Sequence, residues 1–368
     1  MPAVSFASVS KRFGKVVALD RVSFEVKDGE YLCVLGPTGS GKTTLLKLMA
    51  GLLTPDECTI SFDGKPVNNV NAQDRNAVYV PQQYALFPHL TVLENVAFGP
   101  LARGKSASVA LEIASKTLDL VRLAWRAHAL PSELSGGMQQ RVALARGLAS
   151  GAGLLLLDEP LGALDARLRL DLRHKLRDLV RQSGLTAIHV THDQDEAMSV
   201  GDEIMVLRNG RIQDHGPART VYRKPASIFV ANMIGGANFF EGVVDTTVGE
   251  TALINIRGGL NIQAPSRTLT LTAPVILALR KERIRISRQR PQMENVLKGE
   301  VRGIRFLGNS KEYLIRIPNG DVIASRQFGE KAEATFKVGD EVLAGFLEGD
   351  AMVFEYPAKG LRNELEIG

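Results

Sequence analysis

A glycine-rich segment between two regular elements limits most narrowly what this chain can fold into. It follows the apolar run 31–35 and leads into a segment with helical spacing from Lys42 onward. Glycines let backbone N–H groups close around phosphate oxygens, and the helix that follows directs the positive end of its dipole to the same point. The alternative, a glycine-rich turn that happens to precede a lysine, does not account for both flanking elements. The loop residues are Gly36, Pro37, Thr38, Gly39, Ser40, Gly41, Lys42, Thr43 and Thr44.

The segments around this loop predict an α/β fold. Residues 22–26 alternate as in a half-buried strand, and the apolar run 154–157 is typical of a parallel strand covered on both faces. Apolar residues recur at helical spacing over 107–123, and residues 204–212 contain the Asn-Gly signal of a hairpin. Together with the glycine-rich loop, these segments indicate a P-loop nucleotide-binding core.

The sequence pattern changes near Gly235. From Phe239 onward, short β-rich runs alternate with turns, as in small barrels. A chain of 368 residues has room for two cores. We therefore predict a nucleotide-binding domain over 1–236, with a helical subdomain at about 84–150, and an all-β, OB-like accessory domain over 237–368.

Composition excludes several classes of protein. Cys33 and Cys58 are the two cysteines and have no nearby histidine pair, so we expect neither a disulfide framework nor a zinc site. No apolar run reaches the ~18 residues that span a bilayer, so we expect any work at a membrane to require docking onto other subunits. Basic residues cluster over 280–290, but residues 237–368 contain 18 basic and 17 acidic residues, so we expect no nucleic-acid partner.

Two carboxylates follow the apolar run 154–157. Asp158 and Glu159 would lie at the carboxyl edge of a buried strand, where open α/β sheets bind their ligands. We expect Asp158 to hold Mg²⁺, directly or through water, and Glu159 to polarise the attacking water. The Thr43 hydroxyl would bind the same ion, and Lys42 would reach the β- and γ-phosphates.

A second glycine pair narrows the class of nucleotide-binding protein. Ser135, Gly136 and Gly137 precede a predicted helix and so form a second potential phosphate-binding N-terminus. Followed by Met138, this segment resembles the signature motif of the ATP-binding-cassette (ABC) ATPases, which is usually Leu-Ser-Gly-Gly-Gln. Met138 departs from that pattern, because the family has a glutamine there, near the nucleotide sugar. A Ser-Gly-Gly linker is the alternative, but the order of all the motifs matches the family.

The resemblance implies ATP with Mg²⁺ and gives roles to further residues. Phe13 corresponds to the aromatic residue that stacks on adenine. Gln82 corresponds to the glutamine that senses Mg²⁺ and the attacking water, with its neighbour Gln83 as the alternative. His192 corresponds to the switch histidine that contacts the γ-phosphate, and Asp165 lies in the loop that crosses the dimer. The implied catalytic residues are Lys42, Glu159 and His192, the metal ligands are Thr43, Gln82 and Asp158, and the nucleotide contacts are the phosphate loop, Phe13, Gln82, Ser135, Gly136, Gly137, Met138 and Asp165.

The resemblance also implies partners. Two cassettes of this family meet head to tail, with each ATP between one chain's phosphate loop and the Ser-Gly-Gly segment of the other, so we expect a homodimer. Two integral-membrane permease subunits would dock through residues 84–90, from Tyr84 to Leu90. An extracytoplasmic solute-binding protein would take part indirectly. The expected location is the cytoplasmic face of a bacterial inner membrane, as a peripheral subunit.

The predicted function is that of an ATPase that powers uptake, because the β-rich accessory domain resembles that of importer ATPases. The start of the phosphate loop resembles carbohydrate-uptake ATPases, so a carbohydrate or related polar organic solute is the first expectation. The entry into the second domain at Gly235 resembles polyamine, ferric-ion or oxyanion importers, which are the alternative. The rival classes are an exporter cassette and a soluble cassette ATPase that acts on ribosomes or nucleic acid. The accessory domain itself could bind a regulatory ligand or protein.

Overall fold

The chain divides into two compact units in the computed structural model, which describes residues 2–266, 269–329 and 336–366. The first unit ends at Arg223 and the second begins at Lys224, ahead of the boundary expected near Gly235. The reason lies in helix Ile228–Met233, because the buried guanidinium of Arg280 donates hydrogen bonds to carbonyls at the end of this helix and just beyond it. The helix is thereby part of the second unit.

The first unit mixes strands and helices. Its strands are β1 (Val4–Phe13), β2 (Val16–Val26), β3 (Tyr31–Leu35), β4 (Glu57–Phe62), β5 (Lys65–Pro66), β6 (Ala77–Val80), β7 (Leu154–Asp158), β8 (Thr186–Thr191), β9 (Glu203–Arg208) and β10 (Arg211–Pro217). Its α-helices are α1 (Lys42–Ala50), α2 (Val92–Ala102), α3 (Ala107–Leu120), α4 (Gly136–Ala149), α5 (Ala166–Ser183), α6 (Gln194–Val200) and α7 (Ala218–Arg223).

A largely parallel sheet forms the centre of the first unit. Its strand order is β10-β9-β3-β8-β7-β6, and only β10 runs antiparallel to its neighbour. Every residue of β3, β7 and β8 is buried, as expected for parallel strands covered on both faces. The carboxyl ends of these three adjacent strands lie at one edge of the sheet. The phosphate loop, Asp158 and Thr191 therefore come together at that edge.

A second, antiparallel sheet packs with helix α1. Its order is β2-β1-β4-β5, and the predicted alternation over 22–26 is observed in β2. Phe6 and Phe24 stack inside this layer with ring centroids 4.7 Å apart. Leu45, Leu46 and other α1 residues join them in one core that also includes residues of β7 and β8. Each such fully buried Leu contributes about 1.5–3 kcal/mol, so this core holds α1 firmly behind the loop.

Helices α2, α3 and α4 form a separate apolar cluster within the region expected to be helical. Thr91 and Glu94 make a reciprocal capping box at the start of α2, and Ser106 caps α3 through the Val109 N–H. Helix α3 ends at Leu120, short of residue 123 where the sequence placed its end. Among the described residues, each helix is too short or too polar to span a bilayer.

The second unit is mainly antiparallel β-structure, which together with the first unit confirms the predicted fold class. Its strands are β11 (Asn238–Val248), β12 (Thr251–Ile256), β13 (Leu260–Pro265), β14 (Pro274–Leu279), β15 (Arg285–Ser287), β16 (Asn295–Phe306), β17 (Ser310–Arg316), β18 (Val322–Phe328), β19 (Glu341–Phe346) and β20 (Ala351–Glu355). They form two sheets with the orders β13-β12-β11-β14-β20 and β15-β19-β16-β17-β18, and both sheets contribute to one apolar core. The helices are α8 (Ile228–Met233) and α9 (Leu361–Leu365).

Candidate nucleotide site

The loop between β3 and α1 depends on its glycines for its path. A Cβ atom at Gly36 would lie 2.3 Å from the Leu207 carbonyl oxygen, and one at Gly41 would lie 2.4 Å from the Ala18 carbonyl oxygen. Gly41 also has a φ of +107°, which L side chains rarely adopt. The loop therefore approaches its neighbours more closely than any other residue type would allow. Its Ser40 hydroxyl is buried and has no hydrogen-bond partner in the described part of the chain.

Lys42 turns back over this loop from the first position of α1. Its ammonium donates to the carbonyl oxygens of Gly36 and Pro37, both at 2.8 Å. Burial lowers the pKa of Lys42, and the nearby carboxylates of Glu159 and Asp158 act in the opposite direction. Two backbone carbonyls thus hold the positive charge at the mouth of the loop.

Asp158 lies across from the start of α1. Its Oδ1 accepts a hydrogen bond from the Thr43 hydroxyl at 3.2 Å, and its Oδ2 accepts one from the Tyr79 hydroxyl at 2.9 Å. Burial and the Asp158 charge both raise the pKa of Tyr79, which keeps its phenol a donor. A carboxylate and a hydroxyl side by side are hard oxygen ligands, and Mg²⁺ is commonly bound by one or two such groups together with waters and phosphate oxygens. The residues present therefore fit this ion.

Glu159 holds two of the other predicted residues around its carboxylate. Gln82 Nε2 donates to Oε2 at 3.1 Å, and His192 Nδ1 lies 3.2 Å from Oε1. The Glu159 backbone has a φ of +48°, which costs energy for a residue with a Cβ and commonly marks a functional position. Its N–H donates to the Val190 carbonyl, and its own carbonyl accepts from Gln140 Nε2, both at 2.9 Å. These two bonds hold the Glu159 backbone in this conformation.

Gln82, Glu159 and His192 line one cavity of about 420 Å³ together with residues of the phosphate loop. It lies over the phosphate loop and the carboxyl ends of the central strands. Gln82 lines it and Gln83 does not, which favours the first of the two assignments. The lining residues are Val16, Ala18, Thr38, Gly39, Gly41, Lys42, Thr43, Thr44, Gln82, Glu159 and His192.

Comparison with known proteins identifies the family. The ABC transporter family profile matches residues 19–162, and the TOBE domain profile matches residues 277–354. The spermidine/putrescine import ATP-binding protein PotA of Rubrobacter xylanophilus is 39% identical over 343 residues, which are 92% of this chain and 90% of that protein. This chain belongs to the ATP-binding subunits of ABC transporters. It is therefore an ATPase coupled to transport, and the predicted resemblance is confirmed.

Two further matches agree with this assignment. The Fe(3+) ions import ATP-binding protein FbpC of Brucella abortus is 43% identical over 318 residues, 86% of this chain and 89% of that protein. A solved structure of a dimeric ATP-binding cassette, in a post-hydrolysis state bound to ADP and Pi, aligns with a TM-score of 0.55 at 33% identity. That alignment covers 59% of this ABC subunit and 99% of the solved chain.

Some predicted nucleotide contacts of this ABC subunit lie outside the cavity lining. Phe13 pairs with the lining residue Val16 at the end of the β1–β2 hairpin and is 47% exposed. Ser135 caps α4 by accepting from the Met138 N–H, and Asp165 caps α5 by accepting from the Leu168 N–H. The Met138 side chain packs against the core of the helical region. In the part of the chain that the structure describes, none of these predicted contacts lines the cavity over the phosphate loop.

Sequence reasoning missed several residues that support the site of this ABC subunit. Val16 and Ala18 line the cavity, yet their sequence offers no polar signal. Tyr79 was a detectable candidate, because β6 carries a polar phenol beside the strand that ends in Asp158. Gln140 holds the loop between β7 and α5 at two points, since its amide donates to the Glu159 carbonyl and accepts from the Ala163 N–H. Its position within α4 gave no indication of that role.

Proposed function

We propose that this chain is the ATP-hydrolysing subunit that energises an ABC importer for a small cationic solute, either a polyamine or ferric ion. The observation that carries the proposal is the cluster of Glu159, Gln82 and His192 beside Lys42 over a phosphate loop. The two relatives described above are named for the import of spermidine/putrescine and of Fe(3+) ions. Those names support the alternative expectation better than the carbohydrate.

The chemistry assigned to each residue follows from its position. Lys42 is a fixed positive charge that meets the negative charge spreading over the transferred phosphoryl group. Glu159 polarises the attacking water, Gln82 orients that carboxylate and the water, and His192 contacts the γ-phosphate from the far side of Glu159. Mg²⁺, bound through Thr43 and Asp158, would neutralise charge on the phosphate oxygens. Tyr79 keeps Asp158 oriented by occupying its second oxygen.

The proposed dimer rests on the position of Ser135, Gly136 and Gly137, the segment that resembles the ABC signature motif. The N-terminus of α4, which Ser135 caps, offers backbone N–H groups for an anion. It does not line the cavity over the phosphate loop of its own chain. A second copy would complete the site, with Ser135, Gly136 and Gly137 facing the γ-phosphate across the interface. The dimeric solved cassette described above is similar to this chain and supports that arrangement.

The surface proposed for permease docking is residues 84–90, which are held in a fixed conformation without being helix or strand. Asn95 is buried and donates to the carbonyls of Phe87 and Leu90 at 3.1 and 3.0 Å. Arg146 donates to the carbonyls of Ala85 and Tyr84 at 2.9 and 3.3 Å. A preformed surface loses little entropy on binding, which suits a site that transmits motion.

Phe87 is the apolar centre of this surface. Its ring lies 4.5 Å from that of Phe98, centroid to centroid, and 5.2 Å from the Arg146 guanidinium. Phe98 itself is 45% exposed. Two adjoining aromatic rings at the surface are typical of an anchor that enters a partner.

Phe87→Asp should weaken co-purification with the permease subunits by at least about tenfold, because complex formation would bury a charge in an apolar contact. Nucleotide binding should not change. Leu111→Asp is the matched control, since Leu111 is an exposed apolar residue on α3 outside this surface. Equal recovery of the permeases with both variants, together with unchanged transport, would contradict the docking assignment.

The solute can be tested by uptake in a strain whose gene carries Glu159→Gln. Accumulation of radiolabelled spermidine and putrescine should fall to background, and accumulation of a sugar should not change. Loss of ferric-ion uptake alone would select the second candidate. Loss of sugar uptake alone would contradict the proposal for both cations.

The proposed location, as a peripheral subunit at the cytoplasmic face, is tested on membranes separated from the cytosol of these cells. The chain should be found with the membranes, and washing at high pH should release it.

A further inference from the structure

A buried polar cluster lies behind His192, in the layer between the central sheet and α6. His189, on β8, has no exposed surface, and its Nδ1 lies 2.9 Å from the Tyr31 hydroxyl. Its Nε2 lies 3.2 Å from Oε1 of Glu196, which is 3% exposed. None of these side chains lines the cavity. A polar cluster buried this deeply costs free energy unless its groups satisfy one another, so it needs an explanation.

The cluster is tied directly to the two residues on either side of His192. Oε2 of Glu196 accepts from the Thr191 hydroxyl at 2.7 Å. That hydroxyl in turn accepts from the Asp193 N–H at 3.0 Å, and Asp193 Oδ1 accepts from the Glu196 N–H at 3.0 Å. The bonds form a closed circuit around the backbone of His192. The imidazole itself projects outward, with 65% of its side-chain surface exposed, to within 3.2 Å of Glu159.

Charged and polar neighbours stabilise the two carboxylates of the circuit, those of Glu196 and Asp193. Burial works against the charged form of Glu196, but His189 and the Thr191 hydroxyl outweigh it and leave the pKa of Glu196 below its ordinary value. Asp193 Oδ2 lies 2.8 Å from Arg173 and 3.6 Å from Arg169. Arg169 also donates to the Leu164 carbonyl at 2.8 Å. The circuit is therefore anchored to the loop that contains Asp165 as well as to α6.

We propose that Glu196 is a positioning residue for His192: through Thr191 and Asp193 it fixes the backbone from which the exposed imidazole reaches the reacting phosphate. This inference rests on the role proposed above for His192. Because the side chain of His192 has few contacts of its own, its placement depends on the residues that flank it. A displacement of about 1 Å in such a group can cost on the order of a hundredfold in rate.

Thr191→Val tests the circuit with the smallest change, because it replaces the hydroxyl by a methyl group of similar size. Thr186→Val is a matched control at the opposite end of β8. Thr186 is also buried, and its hydroxyl also donates once, to the Pro2 carbonyl, and accepts once, from the Gly29 N–H. Steady-state ATPase activity and thermal unfolding of the full-length chain are measured for both. We expect kcat of Thr191→Val to fall about ten- to a hundredfold with KM for ATP within about twofold, and Thr191→Ser to restore it. Thr186→Val should lower only the thermal midpoint.

Combination with His192→Ala separates the possible failures. If the circuit acts through His192, Thr191→Val should cause no further loss of kcat in the His192→Ala background. Wild-type kcat in His192→Ala alone would overturn the role proposed for His192, and with it this inference. A low kcat in His192→Ala beside wild-type kcat in Thr191→Val would overturn the positioning role alone, as would equal losses in Thr191→Val and Thr186→Val. Should Thr191→Val not fold, Glu196→Met is measured in its place, because it keeps the length of the side chain and removes the oxygen that accepts from Thr191, with the same expected and contrary results.

Discussion

Glu159→Gln should lower ATP hydrolysis by about 10²–10⁴-fold while ATP still binds. The amide has the shape of the carboxylate and can accept a hydrogen bond from Gln82, but it polarises water far less. The backbone at this position, with its φ of +48°, is equally accessible to both residues, and its bonds to Val190 and Gln140 do not involve the side chain. The measurements are the steady-state ATPase rate and the ATP dissociation constant of the full-length chain.

The control for this variant is Glu112→Gln, which makes the same change at an exposed position on α3. Its hydrolysis rate should match that of the wild type. A wild-type rate in Glu159→Gln would show that Glu159 does not polarise the attacking water. A loss of ATP binding of more than about tenfold would show that the carboxylate acts on the substrate complex instead.

The same variant should also accumulate as an ATP-dependent dimer, because hydrolysis no longer reopens the interface. Light scattering during size-exclusion chromatography, with and without ATP, reports this, and the nucleotide-free baseline is measured first because the second unit could pair chains by itself. Ser135→Arg, added to Glu159→Gln, puts a long side chain where the facing phosphate would lie. It should abolish the ATP-dependent part of the dimer. Unchanged dimerisation in the double variant would contradict the head-to-tail arrangement.

Lys42→Ala should reduce ATP hydrolysis to less than about a tenth of the wild-type rate, since a charge beside the transferred phosphoryl group is lost. The ammonium donates to the carbonyls of Gly36 and Pro37, which place it at the mouth of the phosphate loop. Lys47→Ala is the control, because Lys47 lies in the last turn of the same helix. The measurement is the ATPase rate of the assembled transporter.

A residual rate above that tenth would contradict the role of Lys42, provided that Lys47→Ala has the wild-type rate. Loss of activity in both variants would instead indicate damage to α1. Thermal unfolding distinguishes the two cases, because only damage to the helix should lower the midpoint of both variants. The buried contacts of Leu45 and Leu46 are untouched by either substitution.

Sequence patterns predicted the local elements of this chain well where hydrophobic periodicity and turn chemistry agree. Strand β3, helix α1 from Lys42 and the hairpin of β9 and β10 all follow from such patterns. The sequence predicted less well where a long-range contact decides. The helix Ile228–Met233 has no local signal that assigns it to the second unit, but the Arg280 guanidinium binds its end from 49 residues further along the chain.

The nucleotide site shows the same contrast between residues that local patterns identify and residues whose place depends on long-range contacts. The phosphate loop could be identified from sequence because its chemistry is local: glycines, a lysine and a helix start must be adjacent to work. The packing of Met138 could not be identified from sequence, because a methionine gives no sign of its packing partner. In the structure its side chain lies against the helical core, and its contact with a nucleotide stays a prediction.

The sequence by itself determined that this chain binds a nucleotide, that a carboxylate pair follows a buried strand, and to which family the motifs belong. Each of these depends on residues close together along the chain, where spacing fixes geometry. Only the tertiary structure decided which of them act together. Thr43 and Asp158 are separated by 115 residues, yet their side chains form a hydrogen bond. They meet because β3, which leads into the phosphate loop, and β7, which ends in Asp158, both lie beside β8 in the sheet. Strand order arises from the packing of the whole core, and no local pattern encodes it.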